Sequence, residues 1–518
     1  MITEDQSSTV SFLMKALSSG TGKVETVETH ISRIFLAGDR AYKMKRAVEL
    51  PYANFSTPAV RLATCRKEVE LNRATAPDLY LGVRTINRHA DGQLTLDGQG
   101  ELVDALVEMR RFDQASLLDR LATERRLTAP MMTALAREIA RFHRSAPIVR
   151  DESGTSNMEA VLRINEAGFA MSSVFSRHDV AKLVQGFESR LSALSGVLDK
   201  RQEAGKVRRC HGDLHLRNIF LNAGLPCIFD CIEFNESIAT SDVLYDLAFL
   251  LMDLWHRGYF QFANLIMNRY LDDTNEDDGF GALPFFLAVR AAVRAHVVAL
   301  QAEGAESGTS ALANEARSYF NLACSLLKQP PAELVAIGGL SGSGKTTLAE
   351  ALAPHLGAPA GARIIESDRI RKALFGVPAE TRLPPAAYKE DISAKVYREM
   401  TFRARIILGE GGTAVTDAVF DNAANRRMME AAGREGGHQF SGFWLQAEPV
   451  VLWQRVATRS GGPSDATLDV LADQLARETA ETGWLKLDAA LSTDRLVDQL
   501  LNVLEINKAA APLGIGDG

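Results

Sequence analysis

The spacing of apolar residues changes character along the chain. A short helical run at 11–17 gives way to alternating apolar and polar positions over 24–45, which predicts strands. Turns are expected at 18–22, where Ser, Gly and Thr cluster, and at Ala37-Gly-Asp-Arg40 between two hairpin arms. Helical spacing returns over 60–74. Residues 81–96 and 102–109 then read as strands, with a break at His89-Ala-Asp-Gly92. From there helical spacing dominates, over 117–122, 129–145, 158–170, 179–203, 241–253, 261–271, 283–300 and 311–327. Gln329-Pro-Pro331 breaks the pattern and marks a linker. Beyond it strands (334–338, 362–365, 413–416, 440–445) alternate with helices, the layout of a parallel sheet covered on both faces.

Composition narrows the class. At 518 residues the chain exceeds one compact core, and several domains are expected. Apolar content of 46% and charged content of 24% are those of soluble globular protein. A net charge of −7 gives no electrostatic case for nucleic acid or an anionic membrane surface. The first residues lack a basic start and apolar run, and no window of about 18 residues is free of charge, so neither a signal peptide nor a membrane span is expected. Five cysteines without a C-x-x-C pair fit a reducing cytoplasm.

The first chemistry-bearing stretch is His211-Gly-Asp-Leu-His-Leu-Arg-Asn218, followed by Asp230 at the end of an apolar run. H-x-D-x-x-x-x-N puts a base and a metal ligand on one short loop, and the next strand delivers a second ligand. Asp213 is the candidate base for an attacking hydroxyl. Asn218 and Asp230 are candidate Mg²⁺ ligands against the phosphates of ATP. Asp242 and Asp246, at the start of the helix that follows, are expected to brace this loop. Upstream, Lys43 and Lys45 alternate onto one strand face, and Glu68 lies on the next helix; Lys43 paired with Glu68 would fix the nucleotide phosphates. No G-x-G-x-x-G loop precedes the lysine.

The second is Gly339-Leu-Ser-Gly-Ser-Gly-Lys-Thr346, a full G-x-x-x-x-G-K-[ST] between a strand and a helix. Gly339, Ser341, Gly342, Ser343, Gly344, Lys345, Thr346 and Thr347 form the candidate nucleotide cradle. Its backbone N–H groups wrap phosphates, Lys345 reaches the β/γ-phosphates and the Thr346 hydroxyl joins Mg²⁺. Asp368 and Asp417 follow two later strands, facing the crevice where ligands bind in open sheets, as acceptor or metal-shell carboxylates or as helix caps. Arg455 and Arg459, four apart beside the Ser460-Gly-Gly-Pro-Ser-Asp465 loop, suit a lid that closes on the nucleotide.

On these motifs, residues of about 20–325 resemble the aminoglycoside phosphotransferase family, through His211-Gly-Asp213, Asn218, Asp230 and the Asp242-Val-Leu-Tyr-Asp246 run. Residues of about 333–505 resemble small P-loop kinases of the gluconate-kinase and nucleotide-kinase type, through Asp368-Arg-x-Arg371, Asp417-Ala-Val-Phe420 and Arg455-x-x-x-Arg459. The order resembles fused aminoglycoside phosphotransferase and ATP-binding proteins. The resemblance implies an α+β two-lobed kinase-like domain at 1–328, with lobes of about 1–110 and 111–328. A linker at 329–333, an α/β P-loop domain with a mostly parallel sheet at 334–508 and a disordered tail at 509–518 would follow. It implies Asp213 as base, ATP and Mg²⁺ as cofactors, and hydroxyl-bearing small molecules as acceptors. A P-loop region that senses nucleotide without acceptor chemistry is the alternative. The identity of the acceptors and the oligomeric state are not legible.

Overall fold

The computed structural model describes residues 3–21, 23–29, 31–50, 53–151, 153–304, 308–458, 462–477 and 482–510; Arg459 and the tail from 511 onward lie outside them. The chain forms two compact units, one of Met1–Ala170 with Leu191–Asp253, the other of Met171–Arg190 with Leu254–Gly518.

The first unit is built on a six-stranded antiparallel sheet, in the order Val24–Glu28, Ser32–Ala37, Arg40–Lys45, Glu101–Arg110, Tyr80–Arg88, Leu94–Leu96. Strand alternation decides which side chains meet which helix. Phe35, Met44, Ile86 and Leu106 pack with Leu13 of the helix Ser7–Thr21 on one face. Ala41, Ala105 and Val107 pack with Cys65 and Val69 of the helix Pro58–Asn72 on the other. Lys43 and Lys45 share the parity of Ala41 and so face the second helix. The first helix corrects the turn expected at 18–22, since it continues to Thr21. Ser18 donates to the Met14 carbonyl and Ser19 to the Ala16 carbonyl (2.7 Å), so their hydroxyls bond back along the helix instead of breaking it. Downstream, a hairpin (Ile219–Asn222 with Leu225–Ile228) follows the His211 loop. The helix Val243–His256 comes after it.

In the second unit, Glu333–Gly339 lies at the middle of a five-stranded sheet, ordered Arg363–Glu366, Ala414–Asp417, Glu333–Gly339, Gln439–Gln446, Leu485–Asp488. Every pairing is parallel. Val335, Ile337, Val415 and Phe443 pack against Leu348 and Leu352 of the P-loop helix and against Leu500 and Leu504 of Thr493–Ala510. Residues 254–328 belong to this unit too. Its long apolar helical stretch Asp277–Gly304 is long and apolar enough to cross a membrane, but 72% of the apolar window is buried in protein. The helix Phe260–Thr274 lies along the outer edge of Arg363–Glu366. Asn268 Oδ1 accepts from Ile364 N (2.7 Å), while Asn264 Nδ2 donates to Ala360 O (2.9 Å) and Ala362 O (3.0 Å).

Candidate active sites

In the first unit the strand Arg40–Lys45, the helix Pro58–Asn72 and the segment after Ile228 converge on a cluster of charges. Lys43 Nζ pairs with Glu68 Oε1 at 2.8 Å and with Asp230 Oδ1 at 2.6 Å. Lys45 Nζ pairs with Glu68 Oε2 (2.6 Å) and with Glu233. Burial alone would raise the Glu68 carboxyl, but the two ammonium groups outweigh it and hold it down at about 2. Burial likewise works against charge on Lys43, and Asp230 and Glu68 reverse it, so the lysine stays charged well above its ordinary range. Asp230 sits at φ +64°, a left-handed conformation that a non-glycine residue adopts only when its surroundings impose it. Its N–H donates to the Tyr80 hydroxyl (3.2 Å) and the next N–H, of Cys231, to Asn72 Oδ1 (2.8 Å).

The His211 loop is braced from behind. Asp246, fully buried on Val243–His256, accepts from the backbone N–H of His211 (3.2 Å) and Gly212 (2.8 Å), and its carboxylate meets His143 Nε2 at 3.0 Å. Asp242 caps the same helix, accepting from Leu244 N (2.8 Å) while Arg201 grips its carboxylate at 2.7 and 2.9 Å. Burial pushes the His211 imidazole toward its neutral form. Its Nε2 lies 2.8 Å from Phe229 O, an acceptor only, so that nitrogen carries the proton. At the front, Asn218 Nδ2 donates to both the carbonyl and the carboxylate of Asp213 (2.9 Å each), and His215 Nε2 lies 3.4 Å from the carboxylate. With its side chain 38% exposed, Asp213 can be met by a ligand. The bond from Phe229 N to Asn218 O (3.0 Å) closes the hairpin base and carries Asp230 toward the same end. His143, Cys210 and Asp246 also bring three ligand-type atoms within 4.8 Å, all buried. The Asp246 oxygens are taken by the loop backbone and His143, and Cys210 Sγ bonds Ser241 O, so we read this cluster as bracing.

The second site is made from contiguous chain. Gly339, Gly342 and Gly344 have φ of 146°, 81° and 94°. A Cβ on Gly339 would lie 2.6 Å from Leu445 O. The helix Lys345–Leu352 starts directly from this loop. Lys345 Nζ donates to Leu340 O (3.0 Å), Thr346 Oγ1 to Asp417 Oδ2 (2.5 Å), and Ser341 N to Gln474 Oε1 (2.9 Å). Ser343 Oγ is buried without a hydrogen-bond partner; Thr347 is exposed. Burial pushes the Asp417 carboxyl up to about 7, with Lys345 opposing the rise. Asp368 is raised too, again by burial, and it bonds the Ser464 hydroxyl. Asp465 anchors the following loop, pairing with Lys372 and accepting from Tyr388 OH (2.6 Å) and Leu383 N (2.9 Å). Arg455 lies on Pro449–Thr458, which packs against Gly342 through Leu452 and Val456, but its guanidinium is tied to Ala489 O (2.9 Å).

Residues 55–282 match the model of the phosphotransferase enzyme family, and residues 334–480 match that of the AAA domain. The chain is a phosphotransferase of the kinase type. It is 28% identical over 493 residues to an uncharacterized protein of Mycobacterium tuberculosis, covering 93% of this chain and 95% of that one. A shikimate kinase of Ruegeria pomeroyi is 28% identical over 183 residues, covering 34% of this chain and 86% of its own. Among solved structures, a choline/ethanolamine kinase family protein from Mesorhizobium loti matches with a TM-score of 0.38 at 16% identity, over 63% of this chain and 96% of its own.

Glu233, Glu366 and Gln474 are among the residues that the sequence motifs do not mark. Glu233 completes the lysine cluster, and its signal was a second carboxylate three residues after Asp230. Glu366 ends its strand in register with Asp417, which an acidic residue closing an apolar run could have announced. Gln474, which holds a P-loop N–H, has no motif around it.

Proposed function

We propose that the kinase has two separate Mg·ATP sites, each transferring the γ-phosphoryl group to a hydroxyl of a small molecule. The observation that carries the first site is the position of Lys43 Nζ, 2.8 Å from Glu68 and 2.6 Å from Asp230, residues 25 and 187 positions away in sequence. Such a lysine is suited to fix nucleotide phosphates beside a metal-binding carboxylate.

The donor set fits Mg²⁺. Asn218 gives its amide nitrogen to Asp213, which leaves its carbonyl oxygen for a cation, and Asp230 supplies a carboxylate. When bound, the ion would neutralise charge on the phosphates. Asp213 accepts the acceptor's hydroxyl proton as that oxygen bonds to the γ-phosphorus. The bond from phosphorus to the β–γ bridging oxygen breaks, and ADP leaves with that oxygen. At the second site the buried Ser343 hydroxyl without a partner, the glycine-built loop and the helix N-terminus fit a phosphate group. Lys345 would meet its oxygens, Thr346 and Asp417 would hold the ion's shell, and Asp368 would contact the acceptor. Arg455, tied to Ala489 O, is given no part in the transfer.

The test is ATP turnover by the whole protein over a panel of sugars, polyols, nucleosides and aminoglycosides, with Asp213→Asn and Lys345→Ala made separately. Two active sites predict that each substitution abolishes phosphorylation of a different acceptor. A Lys345→Ala protein altered only in Asp213-dependent transfer would make the P-loop region a nucleotide sensor.

A further inference from the structure

The helix Phe260–Thr274 falls inside the span matched to the phosphotransferase family, yet its polar side chains engage the P-loop region. Arg269, its side chain 6% exposed, pairs through Nη2 with Glu350 (2.5 Å) and through Nη1 with Glu366 (3.3 Å) and Asp272 (3.3 Å). Glu350 belongs to the helix that starts at Lys345, four residues beyond Thr346 and therefore on the same face. Glu366 ends the strand whose register places it beside Asp417, the acceptor of the Thr346 hydroxyl. One planar guanidinium thus joins the helix that opens the phosphate cradle to the strand ends facing it. Its fork holds several carboxylates in fixed directions, which a lysine ammonium cannot do. Its surroundings leave it little freedom. Arg363 binds Asp272 (2.8 Å) and Asp277 (2.7 Å), and Arg369 binds Glu366 (3.0 Å).

We propose that Arg269 is a positioning residue of the P-loop nucleotide site. It sets the separation between the cradle helix and the Glu366–Asp417 strand ends, and it offsets the charge of a carboxylate standing next to Asp417. The proposal rests on the nucleotide-site reading given above and adds to it a residue outside the span matched to the AAA domain. Arg269 touches no substrate; it acts through Glu350 and Glu366.

The experiment titrates full-length protein with ATP in the presence of MgCl2 by calorimetry. The binding event that Lys345→Ala removes defines the P-loop site. Arg269→Met, Arg269→Lys and Glu350→Gln are then compared with the parent for Kd, Mg²⁺ requirement and Tm. Loss of charge-assisted contacts should weaken Lys345-dependent binding about tenfold in Arg269→Met and raise the Mg²⁺ requirement, with less than half of the loss restored in Arg269→Lys. Glu350→Gln, at a half-exposed partner, should weaken binding about threefold at an unchanged Tm. Parental Kd and Mg²⁺ requirement in Arg269→Met and Glu350→Gln, with only Tm lowered, would assign the network to stability and overturn the proposal. A Lys345→Ala protein that loses no binding event would instead sink the nucleotide-site reading, and the positioning role with it.

Discussion

If each site holds a polyphosphate, as proposed, the two do so by opposite means. The site around Asp213 is assembled from side chains spread over nearly two hundred residues, and ion pairs fix their mutual positions. The site around Lys345 is made from eight consecutive residues whose backbone would do the holding, with long-range partners such as Gln474 bonded to it. A site of the first kind should be sensitive to single charges far from the motif. A site of the second kind should be sensitive to backbone conformation within it.

The largest expected effect separates the two directly. Asp213→Asn should reduce transfer at its own site by roughly 10²–10⁴-fold, the span of general-base catalysis, and leave turnover of the P-loop acceptor at the parental rate. Equal loss at both sites, read from product formation on the acceptor panel, would end the comparison. Next, Lys43→Met should cut kcat/KM for ATP in Asp213-dependent transfer by about 10²-fold, because Glu68 and Asp230 lose their shared cation. A loss below about threefold would show that the ion pairs do not set the site. Gly339→Ala tests the other arm. Its Cβ would lie 2.6 Å from Leu445 O at a φ of 146°, so chemical denaturation should show a loss of roughly 1–3 kcal/mol. The smallest effect concerns pH. The Glu68 carboxyl is held at about 2, below its ordinary 4.5, so it contributes stability that is complete above about 4.5 and lost as the pH falls toward 2. Glu68→Gln should flatten that part of the stability profile; an unchanged acid limb would show that the pairs are not felt in the folded state.

The same contrast explains what was legible in the sequence. The Walker-type loop declares itself because its residues are adjacent, and its strand and helix follow it directly. Lys43 and Glu68 were within reach because a strand parity and a following helix limit the choices to a few charged residues. Lys45 bridging Glu68 and Glu233 was not, since nothing local says which of several acids a buried lysine meets. The helix Ala129–Ser145 was legible to its ends, having Thr128 as a side-chain cap and a clean apolar stripe. The Ser-rich end of the first helix was misread because serine serves turns and helix ends equally well, and only the contacts of its hydroxyls distinguish them. Arg269 carries no motif at all. Its place in the cluster depends on how a helix and a sheet pack, which no window of sequence contains.

The asparagines of Phe260–Thr274 have a further consequence. A parallel sheet that ends in an uncovered strand offers its N–H and C=O groups to any extended chain that passes, which is how edge-to-edge aggregates and added strands begin. Asn268 takes the N–H of Ile364, and Asn264 takes the carbonyls of Ala360 and Ala362. Two amides one helical turn apart therefore stand in for a sixth strand without extending the ladder. The sheet is closed on that side to recruitment, and a newly made chain that had not yet docked this helix would leave the Ile364 edge open to its neighbours.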